Sequence, residues 1–278
     1  MAVEQIMKRL PARLNWLWRL AMTGLCFALF GLGGLALSVV WFNLLLLVQR
    51  NPDKRRRLAR RSIAASFRFF LRAARAVGVL DYRIEGKAIL DNEHGCLVVA
   101  NHPTLIDYVL IASVMPETDC LVKNALLKNP FLGGVIRAAD YLINDQADAL
   151  LPACRERLGR GETVLIFPEG TRSVPGQPLT LQRGAANIAV RCNSDLRVVH
   201  IYCSEHLLDK HSRWFDVPPR KPLFNVVVRE RIRCQEFFDP SQDHEPALAA
   251  RKLNRHLLYQ LTPGLMPGPG NNDASALR

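Results

Sequence analysis

The sequence predicts an α/β layered domain with a largely parallel mixed sheet flanked by helices, preceded by an N-terminal membrane helix or helical hairpin. Three observations predict it. Short apolar runs alternate with helical stretches from residue 81 to residue 261, a 29-residue run without a charge lies near the N-terminus, and the basic excess is confined to the region around that run. Alternation of this kind favours helices packed on a shared, mostly parallel sheet. A chain of 278 residues can hold one such domain with an appendage.

The uncharged run is Leu20 to Val48, LAMTGLCFALFGLGGLALSVVWFNLLLLV. As one helix it extends roughly 43 Å, more than the roughly 30 Å hydrocarbon core of a bilayer. It is too long for a signal peptide and ends in no A-x-A-like cleavage site. Two readings remain: a single tilted span, or two shorter helices hinged at Gly31-Leu32-Gly33-Gly34 that enter and leave on one side. Lys8, Arg9, Arg13 and Arg19 precede the run; Arg50 and Lys54-Arg55-Arg56-Arg57 follow it. The positive-inside rule favours placing both flanks in the cytoplasm, and so slightly favours the hairpin; the heavier cluster after the run places the rest of the chain there under either reading. The expected location is therefore the cytoplasmic face of the inner (plasma) membrane, with an N-terminal anchor.

Net charge is +12, but residues 1–75 alone carry 14 Lys/Arg against Glu4 and Asp53, and the other 203 residues are balanced. A local excess does not make the field that nucleic acid requires, so no nucleic-acid partner is expected. In Ser62–Leu80, Arg68, Arg72 and Arg75 share one helical face while Ile63, Phe67, Phe70, Leu71 and Ala74 take the other. This is either an interfacial helix on anionic lipid or a helix packed on the domain.

The expected strands follow in order: Tyr82–Glu85, Cys96–Ala100, Cys120–Lys123, Tyr141–Ile143, Thr163–Phe167, Leu196–Cys203 and Phe224–Arg229. The expected helices are Pro103–Val114, Pro130–Ala138, Ala147–Arg160, Gly184–Cys192 and Glu245–Leu261. The Pro/Gly/Asn-rich end has little to bury and is expected to be disordered. The domain plan is thus residues 1–80 as anchor and basic amphipathic helix, 81–261 as the α/β domain and 262–278 as a tail. Seven cysteines without a C-x-x-C pair indicate neither a disulfide framework nor a zinc site.

Two motifs carry chemistry. In Asn101-His102-Pro103-Thr104-Leu105-Ile106-Asp107, a histidine stands at the end of an apolar strand, where α/β sheets collect their ligands. Pro103 suits the first position of a helix, and Asp107, about a turn and a half in, can accept one ring N–H of His102. The other ring nitrogen is then free to remove a proton from a substrate hydroxyl, and the helix start offers N–H groups to an anion. Taken alone, the same pair could be a capping histidine and a solvated aspartate. In Phe167-Pro168-Glu169-Gly170-Thr171-Arg172, another strand runs into a polar turn with a carboxylate, a hydroxyl and a guanidinium, the last suited to bidentate phosphate capture.

Together these blocks resemble the glycerolipid acyltransferase family, which includes the 1-acylglycerol-3-phosphate acyltransferases. The H-x4-D block matches at His102 and Asp107, and F-P-E-G-T-R matches from Phe167 to Arg172. Lys123-Asn124-Ala125-Leu126, Pro130-Phe131-Leu132-Gly133 and Leu181-Gln182-Arg183-Gly184-Ala185 are similar to further family segments. The resemblance covers roughly residues 82–230. It implies an O-acyltransferase of phospholipid biosynthesis that uses acyl-CoA or acyl-carrier protein as donor substrate, with no cofactor or metal. Membrane lipids and a lysophospholipid-like acceptor are its implied partners. His102 is then the general base and Asp107 its orienting partner; Glu169, Gly170, Thr171 and Arg172 bind the acceptor, with Lys123 and Arg183 as further candidates. No acyl-enzyme is needed, so a G-x-S-x-G elbow is not required.

Two blocks depart from the family. Its second block ends in an arginine where this chain has Asp145, with Asp140 nearby; its fourth centres on a proline where this chain has His200. An anion in place of a phosphate-binding cation suggests an acceptor with an amine or less phosphate charge, such as an ornithine or aryl-polyene lipid. The alternative is that Asp145 lies outside the pocket and Arg172 or Arg183 takes the phosphate. His200 is expected to be a core residue. Two other functions remain open: a hydrolase in which His102 activates water, and a catalytically degenerate member that binds lipid or acyl-carrier protein.

Overall fold

The computed structural model describes residues 11–144, 147–238 and 245–262. The expected tail beyond residue 262 and Asp145 lie outside the described residues. Among those residues the N-terminal segment is helical: α1 (Ala12–Ala36), a π turn (Leu37–Trp41) and α2 (Phe42–Val48). The run is continuous, with no hinge at Gly31–Gly34. The glycines serve a close approach instead: a Cβ on Gly34 would lie 2.9 Å from the Phe131 carbonyl oxygen. At the π turn, Asn43 Nδ2 donates to Val39 O at 2.7 Å.

The chain then reverses into α3 (Pro52–Ala76). Asn51 caps it by accepting the Lys54 N–H at 2.9 Å, Pro52 supplies the preset φ of the first turn, and Asp53 complements the helix dipole. The amphipathic pattern read from residue 62 is its second half. Ile63, Leu71 and Ala74 are buried, while Arg68 donates to Ser113 O at 2.9 Å and Arg75 pairs with Asp81 at 2.7 Å. These two arginines hold the domain.

Seven described strands form one sheet: β1 (Asp81–Glu85), β2 (Leu97–Ala100), β3 (Asp119–Lys123), β4 (Leu142–Asn144), β5 (Val164–Ile166), β6 (Leu196–Cys203) and β7 (Leu223–Ile232), in the order β1-β7-β6-β2-β5-β3-β4. β6 and β7 pair antiparallel and every other neighbouring pair is parallel. The remaining described α-helices are α4 (Lys87–Asp91), α5 (Asp107–Val114), α6 (Gly133–Ala139), α7 (Ala147–Gly159), α8 (Gly184–Cys192) and α9 (Pro246–Leu261).

Both faces of the central strands are covered, which is why these strands read as unbroken apolar runs. Val98, Ala100, Leu165, Val199 and Ile201 pack under Leu71, Leu110 and Ile111 of α3 and α5. Leu97, Val99, Val164, Leu196 and Val198 pack under Ala186, Ala189, Leu253 and Leu257 of α8 and α9. All seven cysteines are free, and Cys26, Cys96, Cys120, Cys154 and Cys234 are buried as small apolar groups.

At the amino ends of the strands, Arg60 of α3 is locked into the sheet. Its guanidinium reaches Asp119 at 2.7 Å, Glu162 at 3.0 Å and the Ala139 carbonyl at 2.8 Å, and both Arg60 and Asp119 are buried. Burial pushes the Asp119 carboxyl up to about 6 against the pull of Arg60, so the pair is charged at neutral pH. Asp140 joins this cluster through Arg56 and Arg157 and does not face the carboxyl ends of the strands. It therefore cannot repel a phosphate there, contrary to the sequence expectation. Replacing Arg60 with Met should leave Asp119 buried without its cation and lower unfolding free energy by about 3–5 kcal/mol. The check is a urea titration; a loss under about 1 kcal/mol would contradict this role.

Candidate active site

β2 ends at Ala100, and Asn101 continues its pairing by side chain. Asn101 Nδ2 donates to Ile201 O at 2.7 Å and Asn101 Oδ1 accepts the Ile201 N–H at 2.6 Å. The chain is thereby fixed before it delivers His102. That imidazole is part-buried, and its Nδ1 lies 2.8 Å from Asp107 Oδ2. Among the described residues nothing bonds Nε2. Phe167 of the second motif stacks on the ring at 4.3 Å between centroids and 25° between planes.

The helix carrying Asp107 begins later than its sequence suggests. Pro103 is not its first residue; α5 starts at Asp107 itself, and residues 103–106 form a turn. Thr104 explains this. Its N–H donates to Asp107 Oδ2 at 2.7 Å, its hydroxyl donates to Asp107 Oδ1 at 2.5 Å, and its oxygen accepts the Ile106 N–H at 3.3 Å. Thr104 thus binds Asp107 across the turn that precedes the helix, whose N-cap, Ile106, makes no side-chain cap bond. Asp107 is completely buried. Burial pushes its carboxyl upward, and the His102 hydrogen bond and charge, followed by the Thr104 bonds, oppose the shift. Both oxygens are occupied by donors, so the carboxylate is held as an acceptor for the Nδ1–H of His102. Sequence reading missed Thr104, although the T-x-x-D spacing signals it.

Glu169 is bonded to both motif loops. Its Oε1 accepts the His102 backbone N–H at 2.7 Å, its Oε2 accepts the Ser173 hydroxyl at 2.7 Å, and the Ser173 N–H donates to His102 O at 2.7 Å. The carboxylate therefore ties the two motif loops together. Burial raises its pKa, with Ser173 and the His102 amide pulling the other way. Gly170 has φ +67°, a left-handed conformation that glycine adopts without strain, which gives the loop its sharp bend.

Arg172 is likewise engaged by backbone. Its Nη1 donates to Leu208 O at 3.0 Å and Asp209 O at 2.7 Å. The same Leu208 carbonyl accepts the Leu105 N–H at 3.0 Å, so one carbonyl fastens both motifs to the segment after β6. Thr171, Lys123 and Arg183 are exposed. Gln182 N–H donates to Pro168 O at 2.7 Å, so Arg183 stands beside the second motif. Lys123 ends β3, two strands from β2, and makes no bond to the dyad. His200 lies half-buried in β6 on the face opposite Val199 and Ile201; its Nε2 is buried without a partner, and burial, then Arg229, lowers its pKa.

Among the described residues no group of three or more His, Cys, Asp or Glu is placed to hold a metal. A cavity of about 720 Å³ opens at the amino end of the sheet, lined by Lys54, Arg60, Glu117 and Glu162. Its charges are largely committed to structural ion pairs, and the dyad at the other end is the better candidate for chemistry.

Residues 81–204 match the protein-family model described as acyltransferase. The chain is 34% identical over 151 residues to the 1-acyl-sn-glycerol-3-phosphate acyltransferase of Helicobacter pylori, covering 52% of this chain and 60% of that protein. It is 29% identical over 142 residues to the Pseudomonas aeruginosa protein of the same name, covering 48% and 53%. The chain thus spans little more than half the length of these curated relatives. The crystal structure of the 1-acyl-sn-glycerophosphate (LPA) acyltransferase PlsC from Thermotoga maritima superposes with a TM-score of 0.63 at 23% identity, over 86% of this chain and 96% of that one, and so shares its fold. By its motifs and the matched segment, the chain is similar to the acyltransferases, and it shares the fold of that crystal structure.

Proposed function

We infer that the protein is a membrane-associated O-acyltransferase that moves a fatty acyl group from acyl-CoA or acyl-carrier protein to the hydroxyl of a lysophosphatidate-like acceptor, at the cytoplasmic face of the inner membrane. The observation that carries this reading is the 2.8 Å contact between His102 Nδ1 and a fully buried Asp107, which leaves Nε2 unbonded. Two curated relatives named as 1-acyl-sn-glycerol-3-phosphate acyltransferases support the choice of acceptor.

In this mechanism Nε2 takes the proton of the acceptor hydroxyl as its oxygen attacks the thioester carbonyl. Asp107 keeps the Nδ1–H tautomer in place and stabilises the imidazolium that forms. The tetrahedral intermediate collapses with cleavage of the C–S bond, and the departing thiolate recovers the proton from Nε2. Glu169 and Arg172 contribute by fixing the loop around the imidazole. The exposed cations Lys123 and Arg183 and the Thr171 hydroxyl are the groups left to meet an acceptor phosphate.

Incubating membranes with isotopically labelled acyl thioester and following lipids by mass spectrometry should give labelled phosphatidate from lysophosphatidate. Substituting Ala for His102 should abolish transfer while the thermal melt is retained; unchanged transfer would refute the base assignment, and binding without transfer in the wild type would mark a degenerate member. Asp107→Asn should lower kcat by about 10³–10⁴, because the amide supports the wrong tautomer. Thr104→Val should cost about 1–3 kcal/mol of stability, since a buried carboxylate oxygen loses its hydroxyl donor, and a chemical denaturation curve reads it.

A further inference from the structure

A residue just past the second motif completes the seat of the base. We propose that Ser173 is a positioning residue for acyl transfer, fixing the backbone of His102 so that Nε2 keeps one position before the acceptor hydroxyl. The proposal rests on the catalytic reading of His102 given above and adds to it a residue outside both motifs.

A residue's φ and ψ decide where its Cβ points. β2 ends at Ala100, and residues 101–103 belong to no helix or strand, so sheet pairing does not set these torsions for His102. Loop bonds set them. The peptide group before its Cα is held through the N–H, which donates to Glu169 Oε1 at 2.7 Å. The peptide group after it is held through the carbonyl, which accepts the Ser173 N–H at 2.7 Å. With both planes fixed the Cα–Cβ direction is fixed, and the 2.8 Å contact of Nδ1 with Asp107 then settles the rotation of the ring.

Ser173 closes these contacts into a ring of bonds. Its hydroxyl donates to Glu169 Oε2 at 2.7 Å while its N–H donates to His102, so one residue grips both the base and the carboxylate that holds the base. Glu169 is buried. Burial pushes its carboxyl up, and among the groups that pull it back the Ser173 hydroxyl is the strongest. Without that donor the carboxylate would turn or take up a proton, and either change weakens its bond to the His102 amide.

The seat is itself anchored. Phe167, at the start of the same loop, stacks on the imidazole at 4.3 Å, and the Gly170 N–H donates to Phe167 O at 3.0 Å. Arg172, next to Ser173, is fastened to the carbonyls of Leu208 and Asp209. The loop of residues 167–173 thus meets His102 at its ring, its N–H and its carbonyl. Serine suits the post, because the residue must donate both from its amide and from a short side chain. A misplacement of about 1 Å at a reacting group costs on the order of 100-fold in rate. Ser173 is only part-buried, so losing its hydroxyl should show in kcat before it shows in the melt.

The test uses the full chain in detergent, with lysophosphatidate and an acyl thioester as substrates. Ser173→Ala is expected to stay folded by thermal melt and to lower kcat about 10- to 100-fold, with KM for either substrate changed by less than about threefold. Ser173→Thr keeps the hydroxyl and should bring kcat back to within about threefold of the wild type. Wild-type kcat in the alanine variant, a loss confined to KM, or a threonine variant as slow as the alanine one would each overturn the proposal. Where the alanine variant melts below the assay temperature, Ser173→Cys takes its place; the thiol is a weaker donor, and kcat should fall at least about threefold. Wild-type kcat in that folded variant contradicts the proposal. Combined with Glu169→Gln, Ser173→Ala should be no slower than the slower single variant, since both act through His102; losses that multiply would deny the shared role. The catalytic reading is judged apart, by wild-type transfer and its loss in His102→Ala. If both hold while Ser173→Ala is unaffected, the positioning role alone falls.

Discussion

The fully buried carboxylate of Asp107 is the constraint from which the candidate site follows. A charge taken out of water costs several kcal/mol unless its lone pairs are met by donors. Three donors meet it: the Thr104 amide, the Thr104 hydroxyl and the ring of His102. Two of them come from Thr104 in the turn just before the helix that Asp107 opens, so that turn and the dyad share one carboxylate. Because the acceptor is fixed and desolvated, the imidazole has one orientation, with Phe167 stacked on its face.

Around that centre the second motif acts as a fastening. Glu169 closes on the backbone of His102 and on Ser173, and Arg172 closes on the carbonyls of Leu208 and Asp209. A motif read as a phosphate clamp is here first a brace between three loops at the carboxyl edge of the sheet. At the amino edge, Arg60 braces the N-terminal helices in the same manner through Asp119 and Glu162. The two braces tie the N-terminal helices and the dyad to one sheet.

The sheet was legible because its strands are short apolar runs bounded by polar turns. Leu196–Cys203 and Gly184–Cys192 match at both ends, and the other strands differ by one to three residues at an end. The start of α5 was misread because Pro103 carries a strong local signal, while the two Thr104 bonds to Asp107 that shape the preceding turn depend on burial. The distant partners of Glu169 and Arg172 were not legible, since they are backbone groups of residues 102, 208 and 209, brought near by the fold alone. The hinge at Gly31–Gly34 failed for a similar reason: these glycines face Phe131, a contact far away in sequence. Asp140 was placed near the acceptor by its position in a block, and the left-handed turn at φ +53° sends it to the ion cluster instead.

The most direct test of the account is the protonation state of one nitrogen. In protein with ¹⁵N-labelled histidine, held in lipid with the imidazole neutral, His102 should show a protonated Nδ1 hydrogen-bonded to carboxylate and a pyridine-like, unprotonated Nε2. A neutral ring protonated at Nε2, with Nδ1 bare, would contradict it, because the nitrogen assigned to take the hydroxyl proton would already carry one.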